Sequence, residues 1–198
     1  GVAPERTLLQ LLREDLHCLD AKEGCAEGDC GACTVVLAEP TPDGSALRYR
    51  AINACIRLAH SIDGMALWTA QDLPGKSLHP VQEAMVQCHG SQCGFCTPGF
   101  VMSLFGLYQN HTVRGEAISR EQASQALSGN LCRCTGYRPI LDATQAMQTG
   151  PVQNVDEADV LSKLELLAQA RRAQEAYLAI NSNYLAPRTL ALLAPHLP

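Results

Sequence analysis

Several features are missing from this sequence, and each absence removes a class of protein. No apolar stretch reaches the roughly 20 residues that a membrane-crossing helix needs, so the chain is expected to keep out of the membrane. No long run of lysine or arginine occurs, and the formal net charge is -5. That leaves no basic footprint for nucleic acid. No internal repeat recurs at a fixed period. No signal peptide is visible; the chain opens Gly1-Val2-Ala3 rather than on Met, so its natural N-terminus is expected upstream. The six histidines, His17, His60, His79, His89, His111 and His196, form no metal-spaced pair and read as structural or surface residues. No Cys-x-His pattern suits a Rieske centre. Hydrophobic residues make up 46% of the 198, enough for a buried core in one or two domains.

Cysteine is the residue in excess, with ten in the chain. An oxidised secreted protein would be one reading. The spacing argues against it, because cysteines two or three positions apart point at a shared centre more readily than at distant partners. Metal or cluster ligation in a reducing, cytoplasmic setting fits better.

Cys25, Cys30, Cys33 and Cys55 have the plant-type [2Fe–2S] spacing: C-x4-C-x2-C, then a lone fourth cysteine. Four thiolates must converge on two irons, and three of these come from one tight loop. Gly24, Gly28 and Gly31 lie among them and let the backbone approach closely, with N–H groups turned toward sulfur. The competing reading is a four-cysteine zinc site, which more often shows two Cys-x-x-Cys knuckles. The second set is Cys93, Cys96, Cys132 and Cys134. Cys132 and Cys134 cannot share a helix face, since positions two apart lie about 200° around the axis. A loop between helices is expected there, supported by Gly129, Asn130 and Gly136. On spacing alone this second set also suits zinc. Cys18 and Cys88 are left over and read as buried small side chains. Arg133 and Arg138 flank the second set, as cluster-tuning or pterin-facing groups or as solvated arginines.

The pattern of elements changes along the chain. Residues 7–16 read as a helix capped by Thr7, with Leu8, Leu11, Leu12 and Leu16 at helical spacing. Residues 34–38 and 48–54 read as strands around a turn at 40–45. Four helices follow, over 79–90, 100–110, 119–129 and 139–148. Ser119 and Gln122 form a capping box, and Gly90, Gly129 and Gly150 stand at C-termini. A last helix is expected over 157–179, with Val160, Leu161, Leu164, Leu167 and Leu178 as its apolar stripe.

Four segments carry a resemblance: EGCAEGDCGACTVVL (23–37), NACIRL (53–58), HGSQCGFCTPGFVMSL (89–104) and GNLCRCTGYRPI (129–140). They closely resemble the iron–sulfur part of molybdenum hydroxylases, a group that includes xanthine dehydrogenase, aldehyde oxidase and carbon monoxide dehydrogenase small subunits. The likeness covers most of residues 5–150. The AEGDCGAC variant looks most like the small subunit of bacterial two-subunit xanthine dehydrogenases.

The resemblance implies an α+β chain. Residues 1–74 would form a ferredoxin-like β-grasp [2Fe–2S] domain lacking its opening hairpin. Residues 75–150 would form an all-α [2Fe–2S] domain of two long and two shorter helices. Residues 151–198 would be a linker and, at 184–194, the start of a flavin domain. It also implies an oxidoreductase subunit that takes electrons from hypoxanthine or xanthine oxidation at a molybdopterin-binding large subunit. They would pass through the helical cluster, then the plant-type cluster, to FAD and NAD+. Gln92 and Cys134 would lie near the molybdopterin. The glycine-rich flavin-binding segments do not occur in this chain, so FAD and molybdopterin are expected on other parts of a hetero-oligomeric enzyme, and the chain alone is expected to be inactive. An aldehyde or N-heterocycle dehydrogenase subunit is the alternative within the family.

Overall fold

The computed structural model describes residues 2–75 and 77–172, so residues 184–194 and Leu178 lie outside the described part. The chain is α+β. A three-stranded antiparallel sheet has the order β2-β1-β3, with β1 (Thr34–Pro40) between β2 (Leu47–Asn53) and β3 (Ala66–Trp68). The run Thr34-Val-Val-Leu-Ala is apolar without alternation because both faces of β1 are covered. Val35 and Leu37 pack with Leu8, Leu9, Leu12, Cys33 and Cys55. Val36 and Ala38, on the opposite face, meet Leu47, Tyr49, Met102 and Phe105. Strand β3 has no counterpart in the sequence reading: three residues are too few for a period-2 pattern to show.

The first helix departs from regular geometry. Thr7 and Gln10 form a reciprocal cap at α1 (Leu8–Gln10). The chain then widens into a π turn over Leu11–Asp15, with Leu16 N–H donating to Leu11 C=O. The extra residue in that turn rotates Leu16 out of the stripe, and it is exposed rather than buried. The helix start is tied elsewhere: Leu8 N–H donates to Arg57 C=O and Leu9 N–H to Ala54 C=O, on either side of Cys55.

The helical half consists of α2 (Pro80–Gln87), α3 (Thr97–Asn110), α4 (Arg120–Ala126) and α5 (Arg138–Ala146) around Phe100, Leu104, Tyr108 and Ile140. Only α3, with 14 residues, is long; the others have 8, 7 and 9, in place of the expected two long and two short. The α2 helix stops early because His89, not Gly90, takes the left-handed conformation (φ 55°) and turns Gly90 N–H back onto Met85 C=O. Ser119 and Gln122 do form a capping box. Gly129 lies beyond the end of α4 and is not left-handed; a β-carbon there would meet nothing, and it is the Gly129 carbonyl that lies close to Gly31. His79 caps α2 through Nδ1, which accepts from Val81 N–H, and its Nε2 meets Gln153 C=O at 3.2 Å. Cys18 and Cys88 are half-buried rather than buried, because each sits where a helix has just ended.

The two halves share one core. The face of α3 carrying Met102 and Phe105 lies on the sheet, and α6 (Glu157–Arg172) adds Leu164 beside Val155. Leu167, expected in that stripe, is exposed. The outer edge of β2 is closed by side chains. Asn110 accepts from Tyr49 N–H at 3.2 Å and donates to Tyr49 C=O at 2.8 Å, as a neighbouring strand would. Arg114 donates to Leu47 C=O, and Glu157 accepts from Leu47 N–H and from the Tyr49 hydroxyl.

Candidate metal centres

The loop between Lys22 and Cys33 is wound by three left-handed residues, Ala26, Gly28 and Gly31. That winding aims amides inward. Cys30 N–H donates to Cys25 Sγ at 3.4 Å, and Gly28 N–H donates to Cys55 Sγ at 3.2 Å across 27 residues. Asn53 donates to Gly28 C=O and fixes that peptide. A β-carbon at Gly24 would lie 2.8 Å from Cys30 Sγ, and one at Gly28 would lie 2.6 Å from Ile56. The glycines therefore line a cradle that side chains would fill. The amides of Glu27, Cys30 and Asp29, with the Cys30 thiol, hold the Cys25 pKa down at about 6. Burial, then the neighbouring Cys33 thiol, pushes Cys55 up to about 12. One side of this centre is prepared for negative sulfur and the other is dry.

The second set sits at helix ends. Cys93 and Cys96 precede α3, with Cys96 at its N-cap, where the helix dipole favours negative charge. Cys132 and Cys134 lie in the α4–α5 connection, so the two cannot-share-a-face residues occupy the expected loop. Burial, then the Cys132 thiol, pushes Cys96 up to about 12. Burial pushes Cys132 up, but the hydroxyl and N–H of Thr135, the Cys134 N–H and the Cys96 thiol together outweigh it and the net shift is downward. The Cys93 thiol raises Cys134. Cys132 N–H donates to the Tyr137 hydroxyl at 3.0 Å, and Tyr137 is itself left-handed at φ 69°. That hydroxyl was invisible as a site feature from sequence. Cys93 and Cys134 are exposed, as are Gln92, Arg133 and Arg138, and Phe95 and Leu131 present apolar surface beside them.

Among the described residues, no group of three or more Cys, His, Asp or Glu side chains has the geometry of a single metal ion. The thiols that most strongly shift one another's pKa fall two by two: Cys25 with Cys30, Cys33 with Cys55, Cys96 with Cys132, and Cys93 with Cys134. Within each four the pairs feel one another electrostatically, Cys55 with Cys25 and Cys96 with Cys93. A mononuclear zinc site draws four sulfurs to one point. A dinuclear cluster takes two sulfurs on each iron, so paired thiols with amides aimed at sulfur fit [2Fe–2S] ligation. The two centres also touch. Leu131 N–H, next to Cys132, donates to the carbonyl of Cys30 at 3.0 Å.

Comparison with known proteins agrees with the geometry. The family model described as "2Fe-2S iron-sulfur cluster binding domain" matches residues 1–59, and that described as "[2Fe-2S] binding domain" matches residues 69–145. The protein is of the class that carries two [2Fe–2S] clusters. Aldehyde oxidase 1 of Rattus norvegicus is 46% identical over 145 residues, 72% of this chain and 11% of that protein. Xanthine dehydrogenase of Drosophila subobscura is 47% identical over 141 residues, 70% of this chain and 10% of that protein. Among solved structures, quinoline 2-oxidoreductase from Pseudomonas putida 86 superposes with a TM-score of 0.62 at 33% identity, covering 74% of this chain and 84% of that one. Aldehyde oxidoreductase from Desulfovibrio gigas gives a TM-score of 0.63 at 36% identity, covering 75% of this chain and 15% of that one. The chain belongs to the iron–sulfur portion of the molybdenum hydroxylase family, and its relatives are oxidoreductases. It spans about a tenth of the length of the curated relatives it matches. No helix among the described residues is long and apolar enough to cross a membrane.

Proposed function

We propose that this chain is the electron-transfer part of a xanthine-dehydrogenase-type enzyme. In this reading it relays electrons from purine oxidation at a molybdopterin-binding large subunit toward FAD and NAD+. The observation that carries the relay is the contact between the two centres through the Leu131-to-Cys30 hydrogen bond. Cys25, Cys30, Cys33 and Cys55 hold one cluster, and Cys93, Cys96, Cys132 and Cys134 hold the other. Each cluster, when bound, supplies a one-electron redox site. Around them the chain's own groups do three things. Amides of the 26–30 loop and the Thr135 hydroxyl stabilise charge on sulfur. The apolar packing of Cys33 and Cys55 with Leu8, Leu9 and Leu12 keeps water from the inner side of the first centre. Exposed Cys134 and Gln92 face outward, which suits an electron entry point against the molybdopterin of a partner. In this reading residues 1–74 and 75–150 are the two cluster domains, and 151–198 lead into a flavin domain. The ten free thiols suit a cytoplasmic home.

An aldehyde or N-heterocycle dehydrogenase is the second reading, favoured by the likeness to aldehyde oxidase and quinoline 2-oxidoreductase. The substrate pocket belongs to the large subunit in both. Iron and acid-labile sulfide analysis with EPR after reduction tests the shared part. Two irons and two sulfides are expected for each of the two centres, with two distinguishable S = 1/2 signals. A single signal at full iron loading would remove the relay. Turnover of purine against aldehyde by the complete enzyme then separates the two readings.

A further inference from the structure

We infer that Asn130 is a positioning residue that sets the separation and mutual orientation of the two cluster sites; this rests on the ligand assignment proposed above. Its side chain is 4% exposed and lies between the two cysteine loops. Nδ2 donates to Gly31 C=O at 3.0 Å and to Thr34 Oγ1 at 3.2 Å, on the strand side of the first loop. Oδ1 accepts from the Ser103 hydroxyl at 2.6 Å, on α3. Its backbone N–H donates to Leu127 C=O and so continues the end of α4. The amide orientation is dictated by chemistry: a carbonyl such as Gly31 C=O can only accept, so the NH2 must face it. Gly31 lies between Cys30 and Cys33, while Asn130 is two residues from Cys132. One side chain therefore joins backbone adjoining ligands of both centres.

The surrounding backbone is shaped for this contact. A β-carbon at Gly31 would lie 2.2 Å from Gly129 C=O, and one at Gly99 would lie 2.2 Å from Gly31 C=O. Two glycines, Gly31 on the first loop and Gly99 on α3, let the segments approach more closely than side chains would permit. At that range Leu131 N–H reaches Cys30 C=O. A buried amide with all three of these bonds made is costly to disturb, because any partner left behind is unsatisfied in a dry site. The arrangement fixes a distance as well as a fold, and the distance is what governs magnetic and electronic coupling between the centres.

The test is the spin–spin splitting in EPR spectra of the fully reduced, cluster-loaded chain, read with the two reduction midpoints. Wild type should show two centres split by one another. Asn130→Ala should narrow or abolish the splitting while both signals persist. Ser103→Ala, which leaves Asn130 in place but removes the group orienting it, should narrow the splitting less. Asn110→Ala is the control: Asn110 joins the same two halves at the β2 edge, and its loss should lower the melting temperature without changing the splitting. If Asn130→Ala does not load, Ser103→Ala decides. Unchanged splitting in Asn130→Ala, or in Ser103→Ala where only that variant loads, overturns the role of Asn130 alone. Equal narrowing in Asn110→Ala would reduce Asn130 to a general structural bond and overturn it too. Wild type lacking two clusters would overturn the ligand assignment, and this inference with it.

Discussion

The two cysteine sets gather four thiols each by opposite structural routes. The first is wrapped: one loop supplies three thiols and the amides that face them, and Cys33 and Cys55 are buried against the α1 leucines. The second is assembled from helix ends: two thiols precede α3, two lie between α4 and α5, and Cys93 and Cys134 open to solvent. A wrapped centre depends on backbone conformation, so glycines dominate its chemistry. An assembled centre depends on helix packing, so its weak points are the side chains that brace the connection, such as Tyr137. The difference is also one of exposure: Cys93 and Cys134 are exposed, whereas Cys25 and Cys30 are half-buried and Cys33 and Cys55 buried.

The comparison breaks most completely at the glycine contact. Gly31→Ala combines a left-handed φ of 71° with a β-carbon 2.2 Å from Gly129 C=O. Strain and overpacking together should cost about 2–5 kcal/mol. Thermal melting and iron analysis should show loss of both centres, even though Gly31 belongs to the first loop. Loss of the first centre alone would mean that the loops are less tightly joined than the geometry indicates.

Removing one ligand should separate the centres instead. Cys55→Ser takes away a thiol that the proposed assignment gives to the first centre alone, and EPR should show that signal gone with the second retained and no longer split. Simultaneous disappearance of both signals would make the wrapped centre a folding requirement for the assembled one.

Acid should act on the helical half first. Burial lowers the His79 pKa from 6.5 to about 4, with the Gln153 carbonyl partly opposing. Between those values the unfolded chain binds a proton that the folded chain does not, so stability rises with pH across that window. It is fully present above about pH 6.5 and is lost as pH falls toward 4, by about 2–3 kcal/mol. His79→Gln should flatten that part of the stability profile in denaturant titrations followed by circular dichroism. An unchanged slope would place the titrating group elsewhere.

The smallest expected effect belongs to Tyr137→Phe. The hydroxyl that accepts Cys132 N–H is lost, at about 1 kcal/mol. Released from that bond, the amide is free to turn toward sulfur, and the midpoint of the second centre should shift while the first stays put. A shift in both would mean that the brace acts through Asn130 rather than locally.

What could be read from the sequence follows from the range of the forces involved. The grouping of the cysteines into two sets was legible because their spacing lies within short segments, and the capping box at Ser119 is equally local. The Cys132–Cys134 loop followed from helix geometry alone. The Asn110 contact and the Asn130 bridge join residues 61 and 99 positions apart, and nothing in either local segment announces its partner. The π turn after Gln10 escaped because Leu8 and Leu12 keep helical spacing against β1, and only the exposure of Leu16 betrays the extra residue. Leu167 was placed in a stripe by spacing, yet the sheet face is already filled by Phe105, Val155 and Leu164.

The side chains along the outer rim of β2 act as a mask. Asn110 occupies both hydrogen-bonding groups of Tyr49, and Arg114 and Glu157 occupy those of Leu47. All three come from beyond the sheet in sequence, so the sheet half made by itself would display a bare strand rim with unsatisfied N–H and C=O groups. Such rims recruit other strands. The segments that follow the sheet thus shield a template for self-association, and prying them from β2 should expose Leu47–Asn53 to pairing with other strands.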